Sequence, residues 1–229
     1  MISSSTAPLE ILYQDEWLVA VNKPAGHLVH PADQPQDGDL VTMKILRDQL
    51  DRLVYNVHRL DRPTTGVLLF GIDSSATKHL HRALERHEMK KTYLAIVRGT
   101  PEIDQWECHE PIQKEEGKPI REAHTSFKVL AKAIIKDAPI TLIQATPHTG
   151  RFHQIRRHLL HAGHPIAGDY RYAGIEESNE IGALLGSESR MLLQAHAITF
   201  DHPITGDPLC VKAPADQHFI RCFPSYFTS

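Results

Sequence analysis

The chain has 229 residues, 41 % hydrophobic and 23 % charged, with a formal net charge of −3. That is an ordinary soluble, globular composition, long enough for one large domain or two lobes with a shared core. Cys108, Cys210 and Cys222 are too few and too scattered for a disulfide framework, so reduced thiols and a cytoplasmic protein are expected. The opening MISSSTAPLE has neither a basic nor an apolar segment of a signal peptide, and no apolar run reaches the roughly 18 residues of a membrane span.

Taken in chain order, residues 9–23 read as two short strands around Gln14-Asp15-Glu16, and KPAG (23–26) breaks the second. Residues 39–53 have helical spacing, with Val41, Ile45 and Leu46 on one face and Leu50 and Leu53 continuing it. Residues 65–71 form an apolar strand. Ser74 or Ser75 is expected to cap a helix running to about Met89. Strands follow at 92–97, 122–130 and 139–146, with a mobile loop at 112–121. Residues 151–162 read as a helix with Ile155, Leu159 and Ala162 inward. Residues 173–189 read as a polar surface insertion, 191–200 as a strand and 202–206 as a turn. Strands outnumber helices and mostly follow one another, which points to α+β with a largely antiparallel sheet.

Charge is unevenly spread. Residues 78–91 carry five Lys/Arg against two Glu, and residues 147–172 carry Arg151, Arg156, Arg157 and Arg171 against the lone acid Asp169. Such segments are either solvated helix faces or the walls of a phosphate-binding surface. No GxGxxG or Walker loop supports a nucleotide cofactor. His158, His161 and His164 lie three apart, but successive steps of three drift around a helix and neither HExxH nor a Cys pair accompanies them, so no metal is expected.

Four segments stand out: KPAG at 23, HRLDRPTTG at 58, KKTYLAIV at 90 and TGRFHQIRRH at 149. Each alone has a plain reading: a turn, a solvated Arg-Asp pair worth at most about 1 kcal/mol, a strand tyrosine, a surface arginine. Together and in this order they resemble the RluA family of pseudouridine synthases, over about Leu9 to Val211. Two departures are visible: Thr64-Thr65-Gly66 stands for the usual Thr-Ser-Gly, and Leu193-Gln194-Ala195 for Leu-His-Ala.

The resemblance implies a pseudouridine synthase fold, α+β, with a mixed, mostly antiparallel sheet in two lobes and a central RNA-binding cleft. It implies one catalytic domain over 1–229 without an S4 domain. It gives Asp61 as the essential carboxylate at the anomeric carbon, Tyr93 as base and stacking partner of the uracil, and Arg156 as the cation keeping Asp61 ionised. Arg59 would fill the gap left by a flipped base, while Arg62, Lys23 and Arg151 would contact the RNA backbone. His58 and His153 would hold their loops by hydrogen bonds. Neither cofactor nor protein partner is implied, and a monomer is expected. Within the family, LEILYQDEWLVAVNKP and HRLDRPT are most similar to members that modify uridine 65 of transfer RNA. A compact synthase for ribosomal RNA is the second reading, with substrate choice in 101–147 and 173–189. A non-catalytic RNA-binding protein fits less well, because a carboxylate beside phosphates repels them, and a metal-dependent hydrolase is poorer still.

Overall fold

The computed structural model describes residues 7–31, 36–188 and 190–228. Residues 1–6, on which part of the signal-peptide reading rests, and residue 189 of the expected insertion lie outside them. The chain divides into two compact units, one of residues up to Met89 together with Ala197–Ala213, the other Lys90–His196 with the C-terminal segment from Pro214.

The first unit contains β1 (Glu10–Gln14), β2 (Leu18–Lys23), α1 (Thr42–Leu50), β3 (Tyr55–Asn56), β4 (Thr65–Gly71) and α2 (Ser74–Glu85). β1 pairs antiparallel with β2, and β2 with β4, in a register that sets Leu18 opposite Gly71 and Lys23 opposite Gly66. β4 is buried along its whole length, which its continuous apolar run requires. Leu18, Ala20, Val67, Leu69 and Leu80 form the unit's core. α2 is capped by Asp73, whose carboxylate accepts from the Ala76 N–H at 2.8 Å; neither serine takes that place, and an aspartate caps as well as a serine does. α1 ends at Leu50, leaving Leu53 beyond it and 67 % exposed, so the expected apolar face stops short of that residue.

The second unit contains β5 (Lys90–Arg98), β6 (Gln105–Cys108), β7 (Ile112–Gln113), β8 (Ile120–Arg121), β9 (Thr125–Ile135), β10 (Ala138–Pro147), α3 (Gln154–His161), α4 (Tyr170–Ala173) and α5 (Ile175–Leu185). Strand β11 (Leu193–Asp201) passes from this unit into the first, where it pairs antiparallel with β12 (Pro208–Lys212); α6 (Gln217–Cys222) and α7 (Pro224–Phe227) close the chain. β5, β10, β9 and β6 pair in that order, antiparallel throughout. The alternation of strand side chains divides the core by face. Leu94, Ile96, Ile140 and Leu142 pack with Ile181 and Leu185 of α5 and Phe219 of α6. Ala95, Val97, Ile143 and Ala145 pack with Ile155 and Leu159 of α3.

Two further expectations are corrected. Residues 112–121 are not a loop: Ile112↔Arg121 and Gln113↔Ile120 form a small antiparallel hairpin. Most of 173–189 is not a surface insertion but α5, with Ser178, Ile181, Gly182 and Leu185 buried. Its polar residues conceal a narrow apolar stripe at helical spacing. Ile181→Ala should therefore lower stability by about 2–5 kcal/mol in chemical denaturation, the range for emptying a buried aliphatic site; a loss under about 0.5 kcal/mol would return this segment to the surface.

Candidate active site

In the first unit the carboxylate loop is held against the KPAG turn. Thr64 N–H donates to the Asp61 carbonyl at 3.0 Å, closing the Asp61–Thr64 turn before β4. His58 is buried behind it and accepts from the Leu69 N–H through Nε2 at 3.1 Å, pinning HRLD to the middle of β4. From the other side the Gly26 N–H donates to the Arg62 carbonyl at 2.9 Å, from a backbone φ of +82° that glycine adopts without strain. Arg62 Nε returns a hydrogen bond to the Gly26 carbonyl at 3.0 Å, and its guanidinium meets Asp39 at 3.1 Å.

Lys23 lies inside this construction, fully buried. Its Nζ donates to the Pro24 carbonyl at 2.8 Å and the Arg62 carbonyl at 3.1 Å. Burial lowers its pKa to about 7; Asp61 opposes that fall and Arg62 adds to it. Lys23 is therefore no backbone contact for RNA: its ammonium has no exposed surface and its hydrogens point at carbonyls. Arg59 is exposed and Asp61 half-buried, while Arg62 keeps half its side chain in solvent.

In the second unit Tyr93 stands on β5 opposite Ala145 of β10, half-buried against the Ala95, Val97 and Ile155 cluster. Lys91, two residues before it, is held below the usual lysine range by burial. Arg156 is buried on the first turn of α3. Its Nε and Nη2 grip the two oxygens of buried Asp169 at 2.8 Å each, and its guanidinium lies 5.0 Å over the Tyr172 ring. Such a clamp fixes direction as well as charge. A guanidinium has five N–H donors, so the clamp leaves others for a further acceptor.

The start of α3 is fixed by Gln154. Its side-chain oxygen accepts from the Arg151 N–H at 2.9 Å and the Thr149 hydroxyl at 2.7 Å, and its Nε2 donates to the His124 carbonyl and Thr125 Oγ1, both at 2.9 Å. His158 continues the network: Nε2 donates to the Glu110 carbonyl at 2.9 Å, so Nδ1 accepts from Thr125 at 3.0 Å. His153 has a positive φ of 53°, stacks on Phe152 and hydrogen-bonds Tyr172 at 3.0 Å. Arg151 donates through Nε to the Glu122 carbonyl. Gln194 is buried and ties β11 to the chain beyond β12, donating to the Pro214 carbonyl and accepting from the Asp216 N–H.

With this geometry in view, comparison with known proteins is decisive. Residues 17–161 match the RNA pseudouridylate synthase family. The chain belongs to that family. Its relatives include proteins named tRNA pseudouridine synthase C: one from Salmonella typhi, 39 % identical with 95 % of this chain and 90 % of the relative covered, and one from Vibrio cholerae, 39 % identical with 91 % and 92 % covered. Human RNA pseudouridylate synthase domain containing 1 and domain containing 4 share the fold, with TM-scores of 0.76 and 0.74 at 23 % and 24 % identity. They cover 94 % and 96 % of this chain, and 86 % and 93 % of their own.

Family membership makes this an RNA pseudouridine synthase, an isomerase, as its four motifs imply. The motifs did not reveal Asp169 as the partner of Arg156. Its one signal was being the lone acid in a basic run. Nor did spacing show that His158, His161 and His164 point to different places: the Glu110 carbonyl, the Glu110 carboxylate at 3.9 Å and the Arg98 carbonyl.

Lys23 gives a pH test. Between its folded value near 7 and its unfolded value of 10.5, the unfolded chain binds one more proton, so stability rises with pH across that window. Over the full window this amounts to roughly 4 kcal/mol. In denaturant titrations, the stability of the wild type minus that of Lys23→Met should grow from pH 7 to pH 10. A difference independent of pH would mean that Lys23 keeps its charge.

Proposed function

We propose that this synthase acts on transfer RNA and isomerises uridine 65. The carrying observation is that relatives named tRNA pseudouridine synthase C match more than nine-tenths of this chain at 38–39 % identity. The reaction breaks the N1–C1′ bond of uridine, turns the base and joins C5 to C1′, releasing the C5 hydrogen to water.

Asp61 supplies the carboxylate at the anomeric carbon, as carboxylates serve glycosidases at the same atom. Arg156, clamped by Asp169, supplies the cationic group of the catalytic set. Tyr93 stacks on the uracil and takes the proton. Arg59, exposed on the carboxylate loop, fills the space the uridine leaves when it swings out of the helix. Arg62 and Arg151 meet phosphates with the N–H groups their carbonyl contacts leave over. Residues 1–229 work as one catalytic domain, a monomer in the cytoplasm that needs no cofactor, metal or protein partner. Two observations agree with that location: Cys108, Cys210 and Cys222 are free thiols, and no helix among the described residues is long and apolar enough to cross a membrane.

The test is tritium release from RNA labelled at uridine C5, since that hydrogen leaves only when C5 becomes the glycosidic carbon. A transfer RNA transcript should release tritium, and the same transcript with cytidine at position 65 and its partner changed to match should lose one equivalent. Equal release from both would refute the position. Release from ribosomal RNA alone would refute the substrate.

A further inference from the structure

We propose that Glu107, His109 and His124 form a divalent transition-metal site, of the zinc type, that clasps the end of β6 to the start of β9. None of these residues belongs to the proposed catalytic set.

β6 and β9 pair with Glu107 opposite Ser126 and Cys108 opposite Thr125, so His109 and His124 flank the same end of the ladder. Glu107 Oε2 lies 3.4 Å from His109 Nε2 and 3.4 Å from His124 Nε2, and the three donor atoms fall within 4.8 Å of one another. A tetrahedral ion with bonds of about 2.0–2.1 Å separates its ligands by about 3.4 Å. Two edges of the site thus already have the spacing that zinc imposes. Two imidazoles and one carboxylate are also a zinc donor set, with the fourth position left to water.

The supporting groups fit. Ser126 donates to the other carboxylate oxygen, Glu107 Oε1, at 3.3 Å, which leaves Oε2 turned toward the histidines. His124 Nε2 is buried without a hydrogen-bond partner among the described residues. The backbone of His124 is fixed: its N–H donates to Thr149 Oγ1 at 3.0 Å, and its carbonyl accepts from His148 N–H and Gln154 Nε2. One ligand is therefore rigid and buried at its donor atom. His109 is the adjustable one, its side chain 65 % exposed. The rings of His109, His124 and His148 are stacked at 4.2 and 4.1 Å, and His109 must turn out of that stack to direct its lone pair at the ion.

Full-length protein, stripped with a chelator, should bind one equivalent of Zn(II) by calorimetry. Co(II) should give the visible absorption of a tetrahedral site. His109→Gln and Glu107→Gln, both at exposed side chains, should each weaken Zn(II) binding at least about tenfold and remove the Co(II) bands. His79→Gln, exposed on α2, should change neither. Binding that survives both Gln variants, or that never saturates near one equivalent, would be adventitious attachment to a chain with sixteen histidines and would overturn the site.

Discussion

The first unit depends on a lysine that gives up its water. Lys23 ends β2 with its ammonium buried and shared between the carbonyls of Pro24 and Arg62. Stripping an ammonium of water is costly, and the cost is kept down by two carbonyl acceptors, by Asp61 nearby and by a pKa near 7 that lets the proton leave. A neutral amine still has two hydrogens for two carbonyls. KPAG and HRLDRP are thereby tied across a sequence gap of nearly forty residues, and the turn presenting Asp61 is fixed from below by Lys23 and from behind by His58. The acid between two arginines is thus part of a pinned loop, not a solvated pair on a free one.

The second unit also buries a cation, here against a full negative charge instead of carbonyls. Arg156 is buried on α3, and the two oxygens of Asp169 take its Nε and Nη2. A buried pair of this kind adds little net stability over apolar packing, yet removing one partner is costly because the other charge is stranded. What the pair supplies is direction. Gln154 sets the start of the helix, Asp169 sets the guanidinium, and Tyr172 lies beneath it. Within each unit the motif residues are thus held by fixed hydrogen bonds, the arrangement that lets a pre-formed site avoid reorganisation.

Much of this was legible in the amino acids. Strands with unbroken apolar runs, such as Thr65–Gly71, declared themselves, because burial on both faces leaves no other composition. The family was legible because four short motifs stand together in order, and the family match over residues 17–161 agrees. Less was legible where tertiary packing overrides local character. α5 looked polar because only one narrow stripe of it meets the core. Lys23 looked like a surface cation because side-chain type carries no sign of burial. Asp169 lies thirteen residues from Arg156, and no local period links a helix to the turn that follows it.

The central claim is that Asp61 is the carboxylate on which the isomerisation turns. Single-turnover tritium release from C5-labelled transfer RNA, measured for wild type and Asp61→Asn beside RNA affinity, tests it most directly. Asparagine keeps the shape of the side chain and the backbone carbonyl that closes the turn, so only the charge is lost. The expected result is unchanged binding with no release above background. Release at a rate comparable to wild type would show that the essential group lies elsewhere.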